Sequence, residues 1–145
     1  MLVAVTGANG FLGSYLSNYL EKNNYKVRRI QRNSNKNVLL IKDINKNTNW
    51  VNALKNVDVV IHCAAKVHVL NNKEININSF YSLNVDATKN LAEQAAKCGV
   101  KKFIFISTIK VFGEHTNFNC KFSLDSPLSP KDHYSNSKLK AELAL

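Results

Sequence analysis

The sequence contains few cysteines and no long apolar run. Cys63, Cys98 and Cys120 are odd in number and widely spaced among 145 residues, which matches neither a metal site nor a disulfide framework. No apolar run approaches the roughly 20 residues that a membrane-spanning helix needs, and the apolar stretch at residues 2–5 is too short for a secretion signal. We therefore expect a protein of the reducing cytoplasm, without a membrane partner and without a bound metal.

Negative charge is also scarce. The chain has 20 Lys and Arg residues against 10 Asp and Glu residues, so its net charge is +10. Such an excess suits nucleic acid, a membrane surface or small anionic ligands. Most of the basic residues are scattered, however, and no zinc-finger, helix-turn-helix or RNP-like signature accompanies the densest group, at residues 26–36. The charge pattern therefore disfavours nucleic acid as a partner.

Short apolar segments alternate with segments of helical periodicity. Strands are predicted at residues 2–6, 25–30, 38–41, 57–62 and 102–107. Helices are predicted at residues 11–22, 50–55 and 79–97, with a last helix that Ser129 caps and Pro130 begins. This alternation predicts one α/β domain over residues 1–145, a doubly wound parallel sheet of Rossmann type with helices on both faces. Residues 71–78 and 114–131 are expected to be the least regular.

A glycine-rich turn, Thr-Gly-Ala-Asn-Gly-Phe-Leu-Gly at residues 6–13, joins the first strand to the first helix. Gly7 permits the sharp turn, Gly10 lets backbone N–H groups approach a pyrophosphate, and Gly13 lets the helix pack close to the strand. The free amides and the dipole of the helix N-terminus favour an anion at this place. The spacing predicts a dinucleotide site, and a tight turn without a ligand is the alternative.

The end of the second strand lacks the acidic residue that normally holds the ribose 2′-hydroxyl of NAD. The segment there reads Ile-Gln-Arg-Asn, and the guanidinium of Arg32 is suited to a 2′-phosphate. This favours NADP over NAD as the cofactor. The alternative is that Arg32 is an ordinary surface arginine.

Tyr134 and Lys138 lie four residues apart in Tyr-Ser-Asn-Ser-Lys, a spacing that puts both side chains on one face of a helix. An ammonium group beside a phenol stabilises the phenolate and lowers the pKa of the phenol, which suits a general acid or base. The alternative is an ordinary solvated helix face. The glycine-rich turn earlier in the chain makes the catalytic interpretation the better one.

Together these segments resemble the extended short-chain dehydrogenases/reductases, in the group of NAD(P)-dependent sugar epimerases and dehydratases. The resemblance covers essentially the whole chain but only the N-terminal half of such an enzyme, so it implies an incomplete polypeptide without the substrate domain. The cofactor contacts that the glycine turn, Arg32 and this resemblance indicate are Gly7, Gly10, Phe11, Leu12, Gly13, Arg32, Asp43, Ile44, Ala64, Ala65, Lys66, Asn84, Tyr134 and Lys138.

The resemblance also implies a catalytic set. Aligning on Val-Phe-Gly gives Thr108 the role of a hydrogen-bond donor to a sugar oxygen. Tyr134 would exchange a proton with that oxygen at sugar C4, and Lys138 would hold the nicotinamide ribose. His68 and Lys110 are candidates for the sugar pocket, with a loop or surface role as the alternative.

Residues 66–69 and 109–111 look most like bacterial enzymes that act on UDP-linked sugars, namely 4-reductases and relatives of UDP-glucose 4-epimerase. The function implied is therefore hydride transfer at C4 of a nucleotide sugar, in a surface-polysaccharide pathway. Analogy with the family also suggests a homodimer. The sequence does not separate epimerisation from reduction. An inactive dinucleotide-binding module or redox sensor is the competing function.

Overall fold

The computed structural model describes residues 1–32, 39–67 and 77–145. The strands are β1 (Leu2–Thr6), β2 (Lys26–Gln31), β3 (Leu39–Leu40), β4 (Val59–His62) and β5 (Lys102–Phe105). The α-helices are α1 (Phe11–Lys22), α2 (Val51–Leu54), α3 (Ile77–Tyr81), α4 (Ala87–Lys97) and α5 (His133–Leu143). A π-helical turn (Ser82–Asp86) joins α3 to α4, and a 3-10 turn (Ile109–Val111) follows β5. The predictions for Val38, His68 and residues 71–76 lie outside the described residues.

The five strands form one parallel sheet in the order β3-β2-β1-β4-β5. This confirms the predicted α/β class. In the register of the sheet, Thr6 of β1 pairs with Ile30 of β2 and with His62 of β4. The carboxyl ends of the three strands therefore meet at one edge, where the loops that follow them can build a common site.

Apolar side chains cover both faces of the sheet, because neighbouring residues of β1 point to opposite sides. Ala4 packs with Leu54 of α2 and Leu91 of α4 on one face. Val3 and Val5 pack on the other face with Ile61 and, at the edge of the cluster, with Leu16 and Leu20 of α1. The sheet is thus doubly covered, and α1 is held with its N-terminus at the carboxyl edge of β1.

The long helix predicted at residues 79–97 begins at Ile77 and is interrupted by the π-helical turn. It ends as expected before Gly99, whose φ of 77° closes the chain in the left-handed region. The π-helical turn contains one residue more per turn than an α-helix, and it holds the buried side chain of Asn84. Apolar periodicity cannot show an insertion of this kind, because it depends on polar partners elsewhere in the chain.

The predicted start of the last helix is wrong. The helix begins at His133, and Asp132 rather than Ser129 is its N-cap. The N–H of Ser135 donates to Asp132 Oδ1 at 2.6 Å, and the N–H of Asp132 donates to Ser135 Oγ at 3.2 Å. This reciprocal capping box satisfies two groups at once, whereas the N–H of Ser129 bonds to the carbonyl of Val111 at 2.9 Å. Residues 114–131 contain neither helix nor strand, as predicted.

Candidate active site

A cavity of about 930 Å³ opens at the carboxyl edge of the sheet, between the loops that follow β1, β2 and β4. The predicted cofactor residues that line it are Gly7, Gly10, Arg32, Asp43, Ile44, Ala64, Ala65 and Lys66. Lining residues that the sequence did not single out include Asn9, Gln31, Cys63, Ser82 and Leu83. The cavity is thus lined by segments that are distant in sequence, including the loops that follow three neighbouring strands.

The glycine loop has little room for side chains. Gly7 has a φ of 65°, and a Cβ built there would lie 2.8 Å from the backbone N of Ala64. A Cβ on Gly13 would overlap the carbonyl oxygen of Gly7, and one on Gly10 would lie 3.2 Å from that oxygen. The strand, the turn and the helix are therefore in backbone contact, as a loop that brings amides close to a pyrophosphate requires.

The first turn of α1 presents backbone amides without a side-chain cap. Its N-cap is Gly10, which has no side-chain oxygen to accept from them. The side chain of Phe11 is almost fully exposed and that of Leu12 partly exposed. An anion at this place would meet N–H donors and the positive end of the helix dipole, so the loop fits the diphosphate of a dinucleotide.

A buried imidazole lies beneath the cleft. His62 Nδ1 is 2.6 Å from Thr6 Oγ1, and His62 Nε2 is 3.0 Å from Thr88 Oγ1. Thr88 Oγ1 donates its one hydrogen to the carbonyl of Asn84, so it accepts from Nε2–H. Nδ1 then accepts from the hydroxyl of Thr6, whose oxygen accepts in turn from the N–H of Ala64.

This arrangement requires neutral His62. Burial, followed by the positive charge of Lys138, lowers the pKa of this imidazole to about 3. Sequence patterns suggested only a space-filling residue.

The side chain of Asn84 hydrogen-bonds to both the loop after β4 and α5. Its Oδ1 accepts from the N–H of Lys66 at 2.7 Å, and its Nδ2 donates to the carbonyl of Lys66 at 3.0 Å and to Ser137 Oγ at 2.8 Å. Ser137 Oγ donates in turn to the carbonyl of Tyr134 at 2.7 Å. One amide thus joins a wall of the cleft to the helix that carries Tyr134, and the ammonium of Lys66 donates to Ser79 Oγ across the same wall.

The three predicted catalytic residues lie on two adjacent segments. Thr108 caps the 3-10 turn after β5, and its Oγ1 accepts from the N–H of Lys110 at 3.3 Å. Tyr134 is half-buried in the first turn of α5. Lys138, one turn later, is only 2% exposed, and its Nζ lies 3.8 Å from the centre of the Phe105 ring.

The expected effect of Lys138 on Tyr134 is wrong for this structure. Burial, followed by the negative charge of Asp132, raises the pKa of Tyr134, and the positive charge that opposes them is that of Lys110. Burial also lowers the pKa of Lys138 itself, to about 8, against the charges of Glu142 and Cys63. Sequence spacing identified the shared helix face, but it could not show that the ammonium of Lys138 lies against an aromatic ring.

We expect Lys138→Met to stabilise the chain at neutral pH. The pKa of Lys138 is lower in the folded protein than in the unfolded chain, so folding below about pH 8 requires a buried charge. Removing that charge should raise the free energy of unfolding by about 1–3 kcal/mol at pH 7, and the gain should disappear as pH rises toward about 10.5. Urea unfolding at several pH values measures this, with exposed Lys97→Met as the control. Equal gains at every pH would contradict the prediction.

The part of the chain that the structure describes contains no group of three or more His, Cys, Asp or Glu side chains that could hold a metal. None of its described helices has the length and apolar character to cross a membrane. All three cysteines are free thiols.

Comparison with known proteins places this geometry among dinucleotide enzymes. The sequence model of the NAD dependent epimerase/dehydratase family matches residues 3–145. A UDP-glucose 4-epimerase from Vibrio cholerae is 42% identical over 149 residues, which make up 99% of this chain and 45% of that protein. A decarboxylating sterol-4-alpha-carboxylate 3-dehydrogenase from Dictyostelium discoideum is 32% identical over 154 residues, covering 97% of this chain and 46% of that protein.

Solved structures show the same architecture. The UDP-glucuronic acid 4-epimerase from Bacillus cereus, in complex with NAD, is similar with a TM-score of 0.83 and 29% identity over 99% of this chain and 51% of that one. The chain therefore spans about half the length of the curated relatives that it matches.

Proposed function

Since the chain belongs to the NAD dependent epimerase/dehydratase family, we propose that it binds NAD or NADP in the cleft and takes part in hydride transfer at C4 of a nucleotide sugar. The observation that carries the proposal is the backbone contact of Gly7 with Ala64 and of Gly13 with Gly7, which brings a backbone without side chains to the cleft beside the first turn of α1. Asp43 and Ile44, which also line the cavity, are the residues proposed to contact adenine.

The proposed roles of the catalytic residues are those that the family resemblance implies. Hydride exchange at the sugar carbon is the chemistry that the cofactor supplies. Tyr134 exchanges a proton with the sugar oxygen, Thr108 donates a hydrogen bond to that oxygen, and Lys138 holds the nicotinamide ribose. The pKa of Lys138, lowered to about 8, leaves part of its amine neutral near that pH, so its charge responds to what binds beside it. The hydrogen bonds of Asn84 hold the loop after β4 against the helix that carries Tyr134.

The choice between the two cofactors depends on the end of β2. The exposed Arg32 lines the cleft beside Gln31, where a 2′-phosphate would find a guanidinium and no carboxylate of β2. This supports NADP. The relative from Bacillus cereus was solved with NAD, which supports the other choice. We keep both, with Arg32 as the residue proposed to favour NADP.

A nucleotide sugar is the preferred substrate because the Vibrio cholerae 4-epimerase is 42% identical, against 32% for the sterol dehydrogenase. The positions of Thr108 and Tyr134 suit a 4-epimerase and a 4-reductase equally. The compartment that we propose is the cytoplasm, in keeping with three free thiols. A homodimer and a place in polysaccharide synthesis stay predictions.

A second candidate is a dinucleotide-binding module without turnover. The observation that favours it is that the chain spans less than half of the Vibrio cholerae relative, 45% of its length. The cleft of this chain would then hold the cofactor, and no nucleotide sugar would be converted. This candidate and the leading one make the same prediction for cofactor binding and opposite predictions for turnover.

The experiment combines two readouts on the 145-residue chain. Calorimetric titration with NADH and NADPH measures cofactor binding, and proton NMR follows conversion of UDP-glucose to UDP-galactose in the presence of NAD. We expect the chain to bind the cofactor, and we expect Tyr134→Phe to lower any conversion by about 10²–10⁴-fold while leaving cofactor affinity within about threefold. Binding without conversion would support the second candidate. Unchanged conversion by Tyr134→Phe would remove Tyr134 from the mechanism.

A further inference from the structure

We propose that Lys110 is a positioning residue that joins the turn of Thr108 to the first turn of α5 and sets the charge around the Tyr134 hydroxyl. Its partner in both tasks is Asp132. The inference rests on the proposed function only for the proton that Tyr134 is to exchange, since the pair itself is a property of the folded chain.

The contacts of Lys110 run in two directions. Its backbone N–H donates to Thr108 Oγ1 at 3.3 Å, which fixes the hydroxyl at the start of the 3-10 turn. Its Nζ donates to Asp132 Oδ2 at 2.7 Å and to Glu114 Oε1 at 3.3 Å. One lysine therefore contacts a predicted catalytic hydroxyl through its backbone and the neighbouring helix through its side chain.

Asp132 uses its two carboxylate oxygens for two different purposes. Oδ1 accepts from the N–H of Ser135 at 2.6 Å and caps α5, whereas Oδ2 accepts from Lys110. The Asp132 side chain is 18% exposed and that of Lys110 is 38% exposed, so the pair is partly shielded from water. A shielded pair that also caps a helix holds its geometry better than an isolated surface ion pair.

The pair acts on Tyr134 with opposite signs. The charge of Asp132 raises the pKa of the phenol and that of Lys110 lowers it. Burial raises this pKa as well, so Lys110 opposes two effects that raise it, and the pKa of Tyr134 remains above its usual value. The same lysine has a raised pKa, caused first by its hydrogen bonds to Asp132 and Glu114, so it stays charged.

The other titratable groups near Tyr134 belong to α5 and to the elements packed against it. The helix packs against α3, the π-helical turn and the 3-10 turn. Besides Tyr134 itself, the titratable groups of these described elements and of α5 are Tyr81, Asp86, Lys110, His133, Lys138, Lys140 and Glu142. Tyr81 lies 4.5 Å from Lys140 Nζ, Asp86 and His133 are exposed, and Glu142 acts on Lys138, which lies over Phe105.

The test is a titration of the whole chain with ¹³C-labelled tyrosine, without cofactor or sugar. Tyr134→Phe assigns the Tyr134 signal, and the other four tyrosines report whether the chain stays folded. We expect Lys110→Met to raise the midpoint of Tyr134 by about half a pH unit and Asp132→Asn, which keeps a capping oxygen, to lower it by a similar amount. Lys110→Arg should restore the original midpoint.

Shifts of opposite sign cannot arise from simple loosening of α5, which would move both variants in one direction. Lys101→Met, which breaks the remote pair with Asp58 at 3.0 Å, is the matched control and should leave Tyr134 unchanged. Equal shifts, or none, would overturn the proposal.

If the chain unfolds before Tyr134 titrates, a double-mutant cycle on the free energy of unfolding replaces the titration. Additive effects of Lys110→Met and Asp132→Asn on that free energy would overturn the proposal. Loss of cofactor binding would bear on the proposed function alone.

Discussion

Gly7→Ala should destabilise the chain far more than Gly99→Ala and should abolish dinucleotide binding. Both glycines have a left-handed φ, 65° and 77°, so alanine costs about 1–2 kcal/mol of unfolding free energy at either place. The difference between them is space. A Cβ at Gly7 would lie 2.8 Å from Ala64 N and 2.9 Å from Ala64 Cα, whereas a Cβ at Gly99 meets nothing within 4 Å.

The atoms that Gly7→Ala would push against belong to the backbone, so they cannot rotate away. Such overpacking adds about 1–3 kcal/mol, which brings the total loss for Gly7→Ala to about 2–5 kcal/mol. Urea unfolding of the two variants measures this difference. Calorimetry with NADH then tests whether parting the loops after β1 and β4 removes the site. Equal losses of stability in the two variants would refute the close approach.

Acid should unfold the chain through His62. The pKa of this imidazole is about 3 in the folded protein and near 6.5 in the unfolded chain, so the unfolded state binds more protons between these values. Stability is therefore unaffected above about pH 6.5 and is lost as pH falls. At about pH 4 the expected loss is about 3 kcal/mol, a large part of the stability of a small domain.

His62→Gln isolates this contribution, because an amide can still donate and accept between Thr6 and Thr88 without taking up a proton. We expect the variant to be less stable at neutral pH and to have a flatter dependence of stability on pH between about 6.5 and 4. His115→Gln, at an exposed position, is the matched control and should keep the steep dependence of the original chain. If the stability of His62→Gln fell with pH as steeply as that of the original chain, the assignment of this acid sensitivity to His62 would be contradicted.

The parts of the fold that were predictable from sequence depend on local patterns. The apolar run of β1, the glycine spacing and the periodicity of α1 all lie within residues 2–22, and the predicted bounds of β1 and α1 match the structure. The parallel direction of the strands followed from their alternation with helices. The loops after β1 and β4 could be placed together because the carboxyl ends of parallel strands meet.

The parts that could not be predicted depend on partners far along the chain. Asn84 lies in the π-helical turn, and its side-chain amide hydrogen-bonds to Lys66 and Ser137, which are 18 and 53 residues away in sequence. The ion pair of Lys110 with Asp132 joins residues 22 positions apart in sequence, and no local sequence pattern predicts it. The sequence pattern predicted Ser129 as the cap of the last helix, whereas the reciprocal contact with Ser135 makes Asp132 the cap. Polar networks of this kind are specified by the assembled fold rather than by periodicity.

The central claim is that the glycine loop and the loop after β4 hold the dinucleotide, and amide NMR during a titration with NADH tests it most directly. Three of the five glycines lie in the loop, and Gly99 is a built-in reference at the end of α4. We predict saturable shifts at Gly7, Gly10 and Ala64, with Gly99 unchanged. Shifts confined to the second cavity, of about 750 Å³ beside Tyr25, or no shifts at all, would contradict the account.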